Sequence, residues 1–169
     1  PAYNCQLATD ADSRIIIAAR ASNSGGDMGQ TEPTVEEIRA RTGKSPGRYL
    51  VDGGYVKNDS IVKLEQAGIP VYAPTPKNPK TQDPNKRQRK VPPELEAHRE
   101  RMKTDEAKEL YKLRASTIET INGDLKSHRG LGPFRVRGID KATAVLLMSV
   151  LTYNLLRTIA IAPEVLMKT

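Results

Sequence analysis

Apolar and polar residues alternate in the first part of the chain and repeat with a helical period further along. The alternation over residues 3–22, interrupted by a turn at residues 9–13, predicts a pair of strands. Four further segments follow in order, predicting a helix over 31–43, a strand over 48–55, a helix over 58–68 and a strand over 69–74. This order favours an α/β sheet with helices packed against it.

The second half of the chain is predicted to be mainly helical after a basic, proline-rich loop or insertion over residues 74–103. The run from Lys77 to Lys90 cannot form a core, so it predicts an exposed segment that lies along phosphates or is simply solvated. Thr104 is a suitable N-cap for a helix within residues 104–130. Residues 140–162 are apolar nearly all round and predict a buried C-terminal helix rather than a membrane span, because polar residues interrupt the run.

The charge balance points to a polyanionic partner. The 169 residues contain 27 Lys and Arg against 20 Asp and Glu, which gives a formal net charge of +7. Nucleic acid is the first partner that such a charge suggests, and an acidic membrane surface is the second, although many basic domains bind neither. The single cysteine, Cys5, excludes an internal disulfide.

The helix over 104–130 carries a polar stripe beside its apolar face. Glu119, Asn122 and Lys126 follow one another at helical spacing, with Tyr111 about two turns earlier. Arg114 falls inside the apolar sector, where a guanidinium needs a partner or a local distortion of the helix. The expected core side consists of Ala107, Leu110, Leu113, Ile118, Ile121 and Leu125. An ordinary amphipathic helix with charges at its boundary explains the same stripe.

Asp52 ends the apolar run of RYLVDGGY, where two glycines follow. A turn explains an Asp-Gly pair, and a metal-binding carboxylate at the carboxyl end of a strand explains it equally. Together with Glu119, in a chain whose His98 and His128 are too far apart to predict a zinc pair, Asp52 suggests divalent-cation chemistry on phosphodiesters.

Four blocks occur in an order that resembles the DDE transposases of bacterial insertion sequences. They are YNCQLATDADSRIIIAARASNSGGD, YLVDGGYVKNDSIVKLEQAGIPVYAP, YKLRASTIETINGDLKSHRGLGPFRVRG and TYNLLR. The chain is most similar to the subgroup with a Tyr-Arg-Glu-Lys signature in the helix that carries the last acid. The resemblance implies an RNase H-like mixed sheet with flanking helices, in which three carboxylates hold two Mg²⁺ (or Mn²⁺) ions for DNA cleavage and strand transfer.

The resemblance also implies roles for individual residues. Asp52 matches the second Asp of the triad and Glu119 matches the final Glu, so both are expected to be catalytic metal ligands. The residues expected to contact DNA are Tyr111, Arg114, Lys126, Asn122, Arg129, Arg135 and Arg137. Four residues separate Arg114 from Glu119, whereas the commonest form of the signature has three.

The first Asp of the triad is expected on a strand upstream of residue 1, which makes the chain the C-terminal part of a catalytic domain. Alone it is expected to have little or no activity. The implied partners are double-stranded DNA of the transposon ends and target and a second copy of the chain, without a membrane, at the nucleoid in a bacterial cytoplasm. The alternatives are a non-catalytic DNA-binding remnant or regulator, and an RNase H-like nuclease that cuts DNA without joining it.

Overall fold

The first two strands form the predicted hairpin. A computed structural model describes residues 3–27, 29–74 and 91–167. Strands β1 (Asn4–Thr9) and β2 (Ile16–Ser22) pair antiparallel, with a register shift at the end of β1. The Asp10 carboxylate accepts hydrogen bonds from the backbone N–H (2.8 Å) and hydroxyl (2.6 Å) of Ser13, which closes the turn. The hairpin and the turn role of Asp10 are therefore confirmed.

A second small sheet follows the hairpin. Its strands β3 (Tyr49–Leu50) and β4 (Val71–Tyr72) are parallel. Helix α1 (Thr31–Thr42) precedes β3, and helix α2 (Asn58–Gln66) crosses over between the two strands, as a parallel pair requires. Gly43 ends α1 with a φ of +67°, as the sequence predicts, because a left-handed C-cap favours glycine.

The described residues do not join the two sheets. Both remain two-stranded, so the single mixed sheet expected from the sequence is not formed among these residues. Each sheet has its own core. One core includes Val35, Ile61 and Val71, and the other includes Ile16 and Leu125.

The rest of the described chain is helical. The helices are α3 (Pro93–Arg101), α4 (Asp105–Arg114), α5 (Thr120–His128), α6 (Ile139–Ile161) and α7 (Glu164–Met167). The Thr104 hydroxyl accepts a hydrogen bond from the backbone N–H of Ala107, so the predicted N-cap is confirmed. Helix α3 occupies part of the segment that the sequence assigns to a basic loop, and residues 75–90 lie outside the described residues.

Helices α4 and α5 are continuous through a π turn at Ala115–Glu119. This widened turn is the local distortion that the position of Arg114 suggested. Leu113, just before this turn, is 49% exposed and borders an open groove, whereas Ile121 and Leu125 after it are buried. The prediction that Leu113 lies in the core is therefore wrong, because this side chain faces the groove and packs in neither of the two cores.

Helix α6 is buried along one side only. It packs on β2, with Leu146 and Val150 in the second core, while Met148 and Leu151 on the other side are exposed. The buried helix expected over 140–162 is thus half covered in the structure. In the part of the chain that is described, α6 is the one helix whose length and composition, with a mean hydropathy of 1.7, would allow it to cross a membrane.

Candidate functional site

A groove of about 830 Å³ lies where both sheets meet the long helix α4–α5. One wall is the hairpin, including residues 6–13, and another is the segment 44–52 that contains β3. Residues of α1 and of the π turn complete the lining. The site is thus built from elements that are distant in sequence, and β1 and β3 both border it.

Asp52 lies in this groove at the end of β3. Its carboxylate accepts a hydrogen bond from the backbone N–H of Gly53 at 2.7 Å, and its carbonyl accepts one from the N–H of Tyr55 at 3.0 Å. These bonds fix the short 3₁₀ turn Gly53–Tyr55. The side chain is nevertheless exposed. Asp52 therefore has the turn role that its Asp-Gly sequence suggests, and it also presents a carboxylate to the groove.

Glu119 reaches the same groove from the long helix. It is the last residue of the π turn, and its side chain is 68% exposed. Its Oε1 atom lies 4.0 Å from Nη2 of Arg114, which also lines the groove. At this exposure the pair contributes little to stability, so the distance matters for the placement of the two groups.

Arg114 pairs with Glu119 and contacts Tyr111, and the charge of Asp52 acts on the same tyrosine. The Cζ atom of Arg114 lies 5.5 Å from the centre of the Tyr111 ring, a cation–π contact. Burial raises the pKa of the Tyr111 hydroxyl; the Arg114 charge opposes this shift and the Asp52 carboxylate adds to it. Burial also raises the pKa of Tyr55, with added contributions from Asp27 and Asp52. Asp52, Arg114 and the two tyrosines therefore form one electrostatic cluster.

The remaining predicted residues are placed differently from one another. Asn122 lines the groove, and Lys126 is exposed one turn further along α5. The Arg129 guanidinium is 3.1 Å from the carboxylate of Asp124, so this charge already has a partner. The last two candidates, Arg135 and Arg137, are exposed in the segment between α5 and α6. Lys126 and the three arginines are not among the residues that line the groove.

Four carboxylates of the kind that a divalent metal centre uses line the groove, namely those of Asp10, Asp12, Asp52 and Glu119. Asp52 and Glu119 supply oxygen donors, which hard cations prefer. Within residues 3–27, 29–74 and 91–167, no group of three or more His, Cys, Asp or Glu side chains is close enough together to hold a metal ion. The donor set present here fits part of such a centre.

One polar cluster was missed by sequence reasoning. Gln6 is 5% exposed, and its Nε2 atom donates to Oδ1 of Asp27 at 2.9 Å. The Nδ2 atom of Asn4 donates to the same oxygen at 2.7 Å. Asn4 and Gln6 are two residues apart on β1, so they share one face of the strand. This alternation of amides was a detectable signal, because a buried amide needs a partner.

One of the comparisons with known proteins identifies a family. The profile of the transposase DDE domain family matches residues 1–155 of the 169 in the chain. No curated protein and no solved structure matches the chain. With a match over most of its length, the chain belongs to the transposase DDE domain family, whose function is DNA transposition.

Proposed function

We propose that the chain is the C-terminal portion of an RNase H-like catalytic domain, in a transposase of a bacterial insertion sequence. Asp52 and Glu119 serve as its second and third acidic residues. One observation carries the proposal: these two carboxylates, far apart in sequence, line the same groove together with Arg114. The π turn and the end of β3 bring them there.

The two separate sheets support the RNase H-like part of the proposal. β1 pairs with β2, and β3 pairs with β4, so each of β1 and β3 keeps a second edge without a strand in the described residues. Residues of both strands border the groove. A strand lying in the groove would pair with β1 on one side and β3 on the other, which would satisfy both edges and create one five-stranded mixed sheet. We propose that this is the strand expected upstream, with the first acid beside Asp52.

The family typically uses a divalent metal ion. Bound by Asp52, Glu119 and a third acid, Mg²⁺ or Mn²⁺ would stabilise the developing charge on a DNA phosphodiester. Arg114, held against the Tyr111 ring, presents a guanidinium to the same place and is suited to a bidentate contact with phosphate. Asn122 lines the groove from α5, and its amide is available to donate a hydrogen bond to a phosphate there.

DNA is the substrate that the family implies. The exposed Lys126, Arg135 and Arg137 extend a basic surface beyond the groove, and Arg129 adds to it when a phosphate competes with Asp124. Tyr111, Arg114 and Lys126 have the order of the Tyr-Arg-Glu-Lys signature, which supports contacts with a transposon end. A homodimer acting on paired ends at the bacterial nucleoid belongs to the same proposal.

Metal binding tests the site directly. Paramagnetic Mn²⁺ should broaden the backbone NMR signals of Gly53 and Thr120, and Asp52→Asn or Glu119→Gln should weaken this effect at least about tenfold, by loss of a charged oxygen ligand. Glu109→Gln is the matched control, because Glu109 is an equally exposed acid on the same helix that pairs with Lys112 at 2.5 Å. Equal loss in the control, or no loss in either site variant, would contradict the proposal.

A second experiment separates the alternative functions. The 169-residue chain alone should neither cut nor join oligonucleotides carrying transposon ends, whereas the chain extended upstream should produce joined products with Mg²⁺. Products that are cut but never joined would indicate a nuclease. Salt-sensitive DNA binding without any Mg²⁺-dependent chemistry in the extended chain would indicate a DNA-binding remnant or regulator.

A further inference from the structure

The π turn at Ala115–Glu119 packs against β1 and buries Thr117, but most of its residues are not buried. Ala115 and Ser116 are exposed, and π turns inside α-helices are rare because their hydrogen bonding is less favourable. Side-chain hydroxyls stabilise this one: Ser116 and Thr117 both donate to the carbonyl of Leu113, at 3.0 and 2.7 Å. Hydroxyls that bond to preceding carbonyls in this way favour a distorted helix. Single bonds of this kind also occur in the regular helices α1 and α6, so what distinguishes the wide turn is that two hydroxyls share one carbonyl.

The angular position of the polar stripe shows what the turn achieves. In a regular α-helix, each residue advances by about 100°, so Glu119, Asn122 and Lys126 would lie about 140°, 80° and 120° from Arg114. A π turn absorbs one residue and removes about 100° from each of these angles. All three then lie within about 40° of Arg114.

The contacts of Arg114 in the structure agree with this alignment. Arg114 and Glu119 are five residues apart, a spacing that puts two side chains on different faces of an α-helix but on neighbouring positions of a π turn. Their charged groups are 4.0 Å apart, and Arg114 also contacts the ring of Tyr111 on the preceding turn. The aligned edge faces the groove at Arg114, Glu119 and Asn122.

We infer that the π turn is a one-residue insertion that positions the site: it places Tyr111 and Arg114 on the same helix edge as Glu119, Asn122 and Lys126. The inference accounts for the fourth residue between Arg114 and Glu119. The wide turn absorbs that residue, so the two side chains meet as they would with three residues between them in a regular α-helix. The expectation that this alignment matters for metal binding rests on the proposed function. The alignment of the side chains does not depend on that function.

A pair of length variants tests the alignment without reference to activity. Deletion of Ser116 should turn the segment into a regular α-helix and leave α4 and α5 in their present orientation. Insertion of one alanine between Ser116 and Thr117 should rotate α5 by about 100° relative to α4, which cannot keep both Ala107 and Leu125 buried. The deletion should therefore unfold within about 2 °C of the parent or higher, and the insertion at least about 5 °C lower.

Mn²⁺ affinity is the second measurement. It would not depend on the π turn if the turn affected only the stability of the helix. The deletion should keep the affinity within about threefold of the parent, since Arg114 and Glu119 become i,i+4 neighbours on one face. A deletion variant as unstable as the insertion would overturn the inference, as would a stable deletion variant that has lost the parent's Mn²⁺ binding. If the parent itself binds no Mn²⁺, the proposed function fails, and the unfolding temperatures alone decide the inference.

Discussion

The side chain of Asn154 on α6 both accepts a hydrogen bond from the backbone of β2 and donates one to it. Its removal is expected to destabilise the hairpin that forms one wall of the groove. Its Oδ1 atom accepts from the N–H of Ile16 at 2.9 Å, and its Nδ2 atom donates to the carbonyl of the same residue at 2.8 Å. Ile16 is 4% exposed and lies at the register shift between β1 and β2. The amide therefore satisfies both backbone polar groups of a buried residue next to the register shift.

The expected magnitude for Asn154→Ala follows from these two bonds. Each intramolecular bond contributes about 0.5–1.5 kcal/mol net, and a buried backbone group left without a partner costs about 1–3 kcal/mol. Asn154 is only partly buried, so water can reach the backbone groups of Ile16 in the variant and reduce the cost of leaving them without a partner. The free energy of unfolding of the hairpin–α6 unit should therefore fall by about 2–4 kcal/mol.

Urea denaturation followed by circular dichroism measures this change. Thr152→Ala is the matched control, because Thr152 is exposed on the same helix and its hydroxyl donates within the helix, to the carbonyl of Met148. The control should change the free energy by less than about 0.5 kcal/mol, as surface substitutions usually do. If Asn154→Ala unfolds no more easily than the control, the two bonds to Ile16 do not stabilise the hairpin as inferred.

Three further predictions concern the helix α3 and the basic surface. Burial lowers the pKa of the buried His98, with the Arg101 charge adding to the shift, so below pH of about 6.5 the unfolded state binds a proton that the folded state does not. Stability should fall as pH decreases through this range, and urea midpoints of His98→Gln should depend less on pH. Arg101→Ala should lower the free energy of unfolding by about 2–4 kcal/mol, more than the Lys103→Ala control, because Arg101 pairs with the largely buried Glu65. Arg135→Ala and Arg137→Ala should each reduce the salt dependence of DNA binding by about one phosphate contact, and an unchanged slope in filter-binding titrations would exclude them from the interface.

Local signals in the sequence predicted most of the elements. Alternation gave the hairpin, Gly43 marked the end of α1, and Thr104 marked the start of α4, since each effect depends on neighbours within one turn. The exposure of Leu113 was not predictable by the same means. Periodicity shows which residues share a helix face but not what covers that face, and at Leu113 the structure has an open groove.

The site was predictable to a different extent. The sequence named Asp52 and Glu119 as candidates, but their common groove depends on how β3 and the long helix pack, which no local pattern contains. The separation of the two sheets and the half-covered side of α6 are likewise properties of tertiary packing. The assignment of Asp52 and Glu119 as metal ligands stays a prediction. The DNA contacts of the basic residues also stay predictions.

The two separate hydrophobic cores have a consequence for cooperativity. One core joins α1, α2 and the β3–β4 pair, while the other joins the hairpin, α5 and α6, and the groove lies between the sheets. Helix α1 packs on the hairpin as well as on α2, but the two core clusters are distinct in the described residues, so amide hydrogen exchange should resolve two protected groups with different opening free energies. Filling the groove with a strand bonded to both β1 and β3 would merge these groups into one. Assembly of the site and cooperative folding of the domain would then be the same event.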